Sequence, residues 1–232
     1  MVFSGITSVV AATGTPSVPR AYVGSSGWSY PSWKPDFYPA GTQQRDFLRF
    51  YAERFSTVEL NTTGYRLPEE ERFARWAEET PDGFRFAVKM PHPNRLGAFR
   101  ERVRALGERL GPVRIVIQQA RDDAFLSRLL DRLDPGLRWA LDFRHESWTG
   151  AETGQAAVVD AEEGAAPFRY LRLREPPYDE STLQGWAERI RALLADDLDV
   201  FVYFQHEDEP TAPAYAARLL EVLSNQPGRS TS

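Results

Sequence analysis

Short runs rich in Val, Ile, Leu, Phe and Tyr alternate along the chain with longer stretches in which apolar residues recur every three or four positions. A run of four to six such residues suits a buried strand, whereas the longer repeat places its apolar side chains on one helical face. Alternation of the two predicts a parallel sheet built from β-α-β units. Eight β-rich runs can be counted: Ala21–Ser25, Thr57–Asn61, Arg85–Lys89, Arg114–Gln118, Arg138–Phe143, Ala157–Asp160, Phe168–Leu173 and Val200–Phe204. Helical spacing covers Gln44–Phe55, Glu69–Glu79, Ala98–Leu110, Ala124–Leu133, Ser181–Leu194 and Ala212–Leu223. The stretches Thr149–Gln155 and Ala161–Pro167, on either side of the sixth run, are rich in Gly and Ala and weakly periodic, so no full crossover helix is expected there. The pattern predicts an α/β fold, a TIM-type (β/α)8 barrel with short or missing helices around strand 6.

Composition narrows this picture. With 232 residues, 42% hydrophobic and 26% charged, the chain suits one globular domain over residues 21–224. Residues 1–20 read as a disordered leader, with no Lys or Arg before their short apolar patch, and residues 225–232 as a flexible tail. There is no cysteine, which excludes disulfides, thiolate metal sites and cysteine nucleophiles together and fits a cytoplasmic setting. No run approaches the ~18 apolar residues of a membrane helix, so no membrane partner is expected. A net charge of −5 argues against a surface coated in positive potential, as in a general nucleic-acid binder, but leaves room for a local basic cleft.

In a parallel barrel the loops after the strands converge on one face, so polar residues at strand ends meet there however far apart they lie in sequence. After the first run come Trp28 and Tyr30; the second ends in Glu59 and Asn61, with Tyr65 beyond; the third ends at Lys89. The fifth carries Asp142, Arg144 and His145, followed by Trp148; Asp160 closes the sixth, Arg172 lies in the seventh, and Tyr203 and Gln205 end the eighth. Alternation with period two puts Glu59 with Asn61, Asp142 with Arg144, and Lys89 with Ala87 on shared faces, expected to point inward. Arginine's planar fork and lysine's movable charge suit a phosphate or carboxylate. The aromatics Trp28, Tyr30, Trp33, Tyr65, Trp148 and Tyr203 offer stacking surfaces or, equally, core packing. Charges buried together can also be structural ion pairs.

Other chemistries are weaker on the residues alone. His92, His145 and His206 with Glu59, Asp142, Asp160 or Asp208 offer oxygen and nitrogen ligands for a divalent metal, but no compact ligand spacing is present. Glu59 and Asp142 could flank a glycosidic bond, yet Lys89 and Arg144 beside them would lower their pKa values and disfavour a general acid. The Gly24–Gly27 turn lacks a phosphate-loop pattern, and no serine nucleophile is supported.

The segments VGSSGWSYPSWKPDFYP, TVELNTTGYRLP, FRFAVKMP, GPVRIVIQ, ALDFRHESW and VFVYFQHED resemble the YecE-like family, domain of unknown function 72, from Val23 to about Leu223. The resemblance implies a TIM-type barrel and supplies no activity. The chain departs from the family pattern at Gly64, at Gln118–Arg121, at Arg174-Glu175 and at Gln205–Asp208, all rim segments.

Three functions follow as expectations. The leading one is a hydrolase or other enzyme acting on a small phosphate-bearing or anionic substrate, nucleotide-like or nucleic-acid-like, at the C-terminal face. Trp28, Tyr30, Asn61, Tyr65, Lys89, Arg144, Trp148, Arg172, Tyr203 and Gln205 would bind it, and Glu59, Asp142, His145 and Asp160 would carry the chemistry. The alternatives are a non-catalytic module for a metabolite or single-stranded nucleic acid, and a glycosidase-like enzyme.

Overall fold

The computed structural model describes residues 18–91, 95–205 and 209–225. Of the expected leader only residues 18–20 fall within that range, and the tail beyond residue 225, His92, His206 and Asp208 lie outside it. Among the described residues eight strands form: β1 Ala21–Ser25, β2 Thr57–Leu60, β3 Arg85–Lys89, β4 Leu110–Ile117, β5 Trp139–Phe143, β6 Ala157–Val158, β7 Phe168–Leu173 and β8 Asp199–Phe204. Six α-helices alternate with them: α1 Phe47–Ala52, α2 Glu70–Glu78, α3 Leu96–Val103, α4 Asp123–Leu130, α5 Glu180–Ala195 and α6 Thr211–Ser224. Between β5 and β7 the described chain makes turns and one short 3-10 segment, Glu146–Trp148, so the two expected helix gaps are both present.

Local chemistry accounts for these elements. Asp122 caps α4 by accepting from Phe125 N at 2.8 Å, and Asp179 caps α5 by accepting from Thr182 N at 2.8 Å. Helix α5 buries Leu183, Ala187, Ile190 and Leu193, one stripe at helical spacing, against the sheet. Strand residues alternate between two cores. Val58, Val88, Val113, Ile115, Leu141, Leu171 and Val202 belong to the large cluster shared with the helices. Tyr22, Ala87, Ala140, Ala157, Phe168, Tyr170, Phe201 and Tyr203 form a second, smaller cluster on the opposite strand face.

All pairings are parallel and fall into two sheets, one ordered β1-β8-β7 and the other β2-β3-β4-β5-β6. The sheets share the smaller core, since Thr57 of β2 hydrogen-bonds Tyr203 of β8 at 2.8 Å. The ladder nevertheless stops short of the closed ring expected from eight strands. At one seam a single bridge pairs Ser26 with Glu59. There β1 comes close to β2 because residue 24 is glycine: a Cβ would lie 2.1 Å from Thr57 O. At the other seam, β6 is only two residues long, and Asp160 N, just beyond it, donates to Tyr170 O of β7 at 2.9 Å. Asp160 holds φ at +67°, an uncommon conformation for a non-glycine residue, which turns the chain out of the sheet at that point.

Candidate functional site

The inward alternation carries charge at the C-terminal ends of the strands. Glu59, completely buried, is the hub. Its Oε1 accepts from the Tyr170 hydroxyl at 2.7 Å and lies 2.9 Å from Arg114 Nε, and its carboxylate also accepts from Ser26 Oγ. Arg172 also holds it, donating from Nε at 3.3 Å and from Nη2 at 3.1 Å to the same oxygen, Oε2, with Nε 3.1 Å from Oε1 as well. The Arg114 Nε contact is an ion pair without hydrogen-bond alignment, so that N–H is left unsatisfied. The same guanidinium donates from Nη1 to Asp142 Oδ2 at 2.5 Å and from Nη2 to Asn61 Oδ1 at 2.7 Å. Arg144 reaches back along its strand to Asp142 Oδ2 at 2.7 Å, with 38% of its side chain exposed. Arg172 also donates to Gln205 Oε1 at 2.9 Å, and its backbone N donates to Asp160 Oδ1 at 2.6 Å. Arg174 closes the rim with an ion pair to the other Asp160 oxygen.

Lys89 stands apart in this network. Its Nζ lies 4.6 Å from the centre of the exposed Tyr65 ring, and among the described residues it makes no ion pair with a carboxylate. Residue 64 beside it is glycine, where a Cβ would fall 2.6 Å from Lys89 Cδ, so the stem passes through space that a larger residue would take.

The electrostatics follow from this geometry. Burial pushes the Glu59 carboxyl upward, but Arg114, Arg172 and the hydroxyls of Ser26 and Tyr170 outweigh it and bring the pKa to about 2. Lys89 is held below the ordinary lysine range by burial first and then by Arg114, with Glu59 opposing. Asp160 is held above the usual carboxylate range by burial, despite its bond from Arg172 N and the nearby Arg174. Burial also raises Tyr170 and Tyr203, whose hydroxyls stay protonated.

The structure thus brings together Glu59, Asn61, Lys89, Asp142, Arg144, Arg172 and Gln205, with Tyr65 over Lys89 and Asp160 joined through Arg172. The remaining candidates sit elsewhere. His145 is exposed and its Nδ1 accepts from Ser147 N at 3.2 Å, capping the short turn after β5. Trp148 is buried, stacked on Phe143 at 4.7 Å and donating to Gln119 O at 2.8 Å, and Tyr203 is buried against Thr57. Neither of these two exposes a ring face for stacking. Trp28 packs edge-on against Trp76 at 5.2 Å, and Tyr30 lies against Trp33 at 4.8 Å.

Sequence reasoning missed Arg114, Tyr170 and Ser26. A signal existed for the first: Arg114 interrupts GPVRIVI in the middle of a hydrophobic strand, where an arginine is almost never buried unless paired.

Among the described residues no three of His, Asp and Glu converge as metal ligands. The residues that are present do not suit a divalent cation, because Glu59 and Asp142 are already paired with guanidinium groups and further cations surround them. Cavities of about 310 and 690 Å³ lie away from these charges. The first, near Arg20, Ser56 and Phe84, is at the N-terminal ends of the strands, and the second lies between α6 and the β1–α1 connection.

The chain matches the family described as Protein of unknown function DUF72 over residues 22–231. It is 43% identical over 70 residues to the UPF0759 protein YecE of Escherichia coli K12, covering 30% of this chain and 23% of that protein. To the UPF0759 protein YunF of Bacillus subtilis it is 24% identical over 181 residues, covering 73% of this chain and 59% of the relative. The matched parts therefore span less than two thirds of either relative. A solved DUF72 family protein from Enterococcus faecalis V583 superposes with a TM-score of 0.71 at 17% identity, over 90% of this chain and 97% of that one, which speaks to the fold alone.

Proposed function

Because the chain belongs to the DUF72 family, whose description leaves its function open, we propose a function from the strand-end charges themselves: this protein binds a small anionic molecule, phosphate- or carboxylate-bearing, at the C-terminal ends of its strands. In this reading the two sheets act as the walls of a TIM-type barrel, opened at its β6 seam, whose mouth is the binding site.

The observation that carries the reading is an imbalance of charge. Among the described residues Lys89, Arg114, Arg144, Arg172 and Arg174 gather around Glu59, Asp142 and Asp160, so the described cluster is formally two positive charges in excess. A group of partly desolvated cations in excess is costly unless an anion completes it. Lys89 and Arg144 are the members with donors left to offer, Arg172 and Gln205 fix the inner wall, and Glu59 anchors the arginines. Glu59, with its pKa near 2, would stay ionised at neutral pH, which leaves the glycosidase reading without a proton donor in that position. Asp160, at the rim with 35% of its side chain exposed, is the carboxyl better suited to move a proton in a hydrolytic reaction.

Calorimetry with inorganic phosphate and adenosine monophosphate tests the reading. Binding should weaken as salt rises, and Arg144→Ala and Lys89→Ala should each lower affinity about tenfold, the equivalent of about 1.4 kcal/mol. Absence of binding, or affinities unchanged in both variants, would overturn it. Release of phosphate during long incubation would separate an enzyme from a binding module.

A further inference from the structure

The chain holds 28 basic residues, and only two, Lys34 and Lys89, are lysine. Every other cation is arginine, whose guanidinium does not lose its proton in proteins and so offers no nucleophilic nitrogen. Lys34 lies over the Phe47 ring at 5.2 Å, remote from the strand-end charges. The other lysine stands among three of those arginines.

We propose that Lys89 is a nucleophilic amine, condensing with the carbonyl group of a small substrate that also carries an anionic group, to form an imine. The inference rests on the anion-binding reading above and names the substrate class for the same site. Three features of the geometry support it. Lys89 Nζ makes no ion pair among the described residues, so no carboxylate there locks it in its charged form. Burial and then the like charges of Arg114, Arg172 and Arg144 favour its neutral form against the pull of Glu59, and since guanidinium groups stay protonated, lysine is the member of the group able to give up a proton. An amine beside other cations is one of the recognised ways to make lysine reactive at neutral pH.

The third feature is placement. Thr63 Oγ1 donates to Lys89 O at 2.8 Å and fixes the strand end, the stem runs alongside Gly64, and the Tyr65 ring covers Nζ. The amine thereby stands at the strand end near Arg144, whose 38%-exposed side chain has donors beyond its bond to Asp142 with which to hold a carboxylate or phosphate on the same molecule. In the step itself, the Nζ lone pair attacks the carbonyl carbon while the C=O π pair moves to oxygen, which takes a proton from water. The nitrogen returns a proton to water; the carbinolamine hydroxyl then takes a proton from solvent and leaves as water as the nitrogen lone pair forms the C=N bond, and the remaining N–H proton returns to solvent. One water leaves in the net reaction, and nothing is oxidised or reduced.

The test incubates the whole protein with pyruvate, or with dihydroxyacetone phosphate, in the presence of sodium cyanoborohydride, which reduces an imine to a stable secondary amine. Peptide mass mapping then locates the adduct, with Lys34 as an internal control. The expected result is about tenfold or more labelling at Lys89 over Lys34 with at least one probe, suppressed by excess inorganic phosphate. Which probe labels tells whether the anionic group is a carboxylate or a phosphate. In Lys89→Arg the charge is kept, so phosphate binding should persist while the adduct is lost. Equal labelling of the two lysines, or none at Lys89 with either probe, would overturn the proposal. If phosphate still binds by calorimetry in that case, only the imine fails; if phosphate does not bind, the anion reading fails with it.

Discussion

Near the N-terminal ends of the strands the shared interior holds Tyr22 stacked on Phe201 at 4.5 Å, Phe168 edge-on to Phe201 at 6.0 Å, and the small residues Ala140 and Ala157. Two residues further along β5 and four further along β7 it holds Asp142 and Arg172, joined there by Glu59 of β2 and Arg114 of β4, all buried and all charged. Strand β7 makes the change in steps of two, from Phe168 through Tyr170 to Arg172, and the Tyr170 hydroxyl is the hinge between the two environments because it donates upward to Glu59. The apolar layer needs only shape and area to stabilise the fold. The charged layer must recover the desolvation of every ion from its partners, and an apolar filling of equal volume would commonly do as well or better. A fold that places so much charge at one end of its strands therefore has a reason there other than stability.

The largest expected effect breaks the apolar layer alone. Phe201→Ala removes the ring that both Tyr22 and Phe168 contact and should cost about 3–5 kcal/mol in chemical denaturation. Phosphate affinity per folded molecule should be unchanged. A parallel fall in affinity would mean the two layers are one mechanical unit, and the contrast between them would be lost.

A somewhat smaller loss is expected in the charged layer. Glu59→Gln leaves Arg114 and Arg172 facing a neutral amide, and removing one partner of a buried pair costs about 3 kcal/mol. The sign with pH is set by the carboxyl, whose pKa falls from 4.5 to about 2 on folding. Its stabilisation is present above about pH 4.5 and is lost as pH drops toward 2. The variant should lack this part of the acid transition, so the gap between the two proteins should narrow in denaturation curves run from pH 6 down to pH 2.5. A gap independent of pH would assign the loss to packing and not to the ion pairs.

These two layers were unequally legible in the amino-acid sequence. Strands β1, β3 and β7 have the bounds that hydrophobic runs predict, and the missing helices around β6 follow from the Gly- and Ala-rich stretches flanking it. Alternation alone put Glu59, Asn61, Asp142 and Lys89 on inner faces. Ring closure was not legible, because it depends on how two edges meet, and here those edges meet through one bridge at Ser26 and one backbone bond at Asp160. Arg114 escaped because polar residues were sought at strand ends, while its long side chain reaches the mouth from mid-strand. His145, Trp148 and Tyr203 look chemical in sequence and serve as cap or packing, a distinction that only the neighbouring residues decide.

The smallest effect sharpens the contrast most. Lys89→Met deletes a cation that pairs with no carboxylate among the described residues and that burial and three guanidinium groups disfavour against the more distant pull of Glu59, while keeping a stem of similar length beside Gly64. Unlike Glu59→Gln, it should not destabilise the protein. Stability should stay level or rise, by at most about 1 kcal/mol because solvent screens a partly exposed charge. The folded-state pKa of Lys89 is depressed, so the charged amine opposes folding at neutral pH and stops doing so as pH climbs through that depressed value toward the ordinary 10.5. Any advantage of Lys89→Met in thermal melts at pH 7 should therefore shrink by pH 10, while its affinity for phosphate is reduced at pH 7. A variant that gains stability and loses ligand in this way would mark Lys89 as a residue kept for the site at the expense of the fold. A variant that loses stability would place Lys89 with Glu59 and Arg114 as part of the structural charge layer, and the functional end of the strands would have to be sought at Arg144 and the rim.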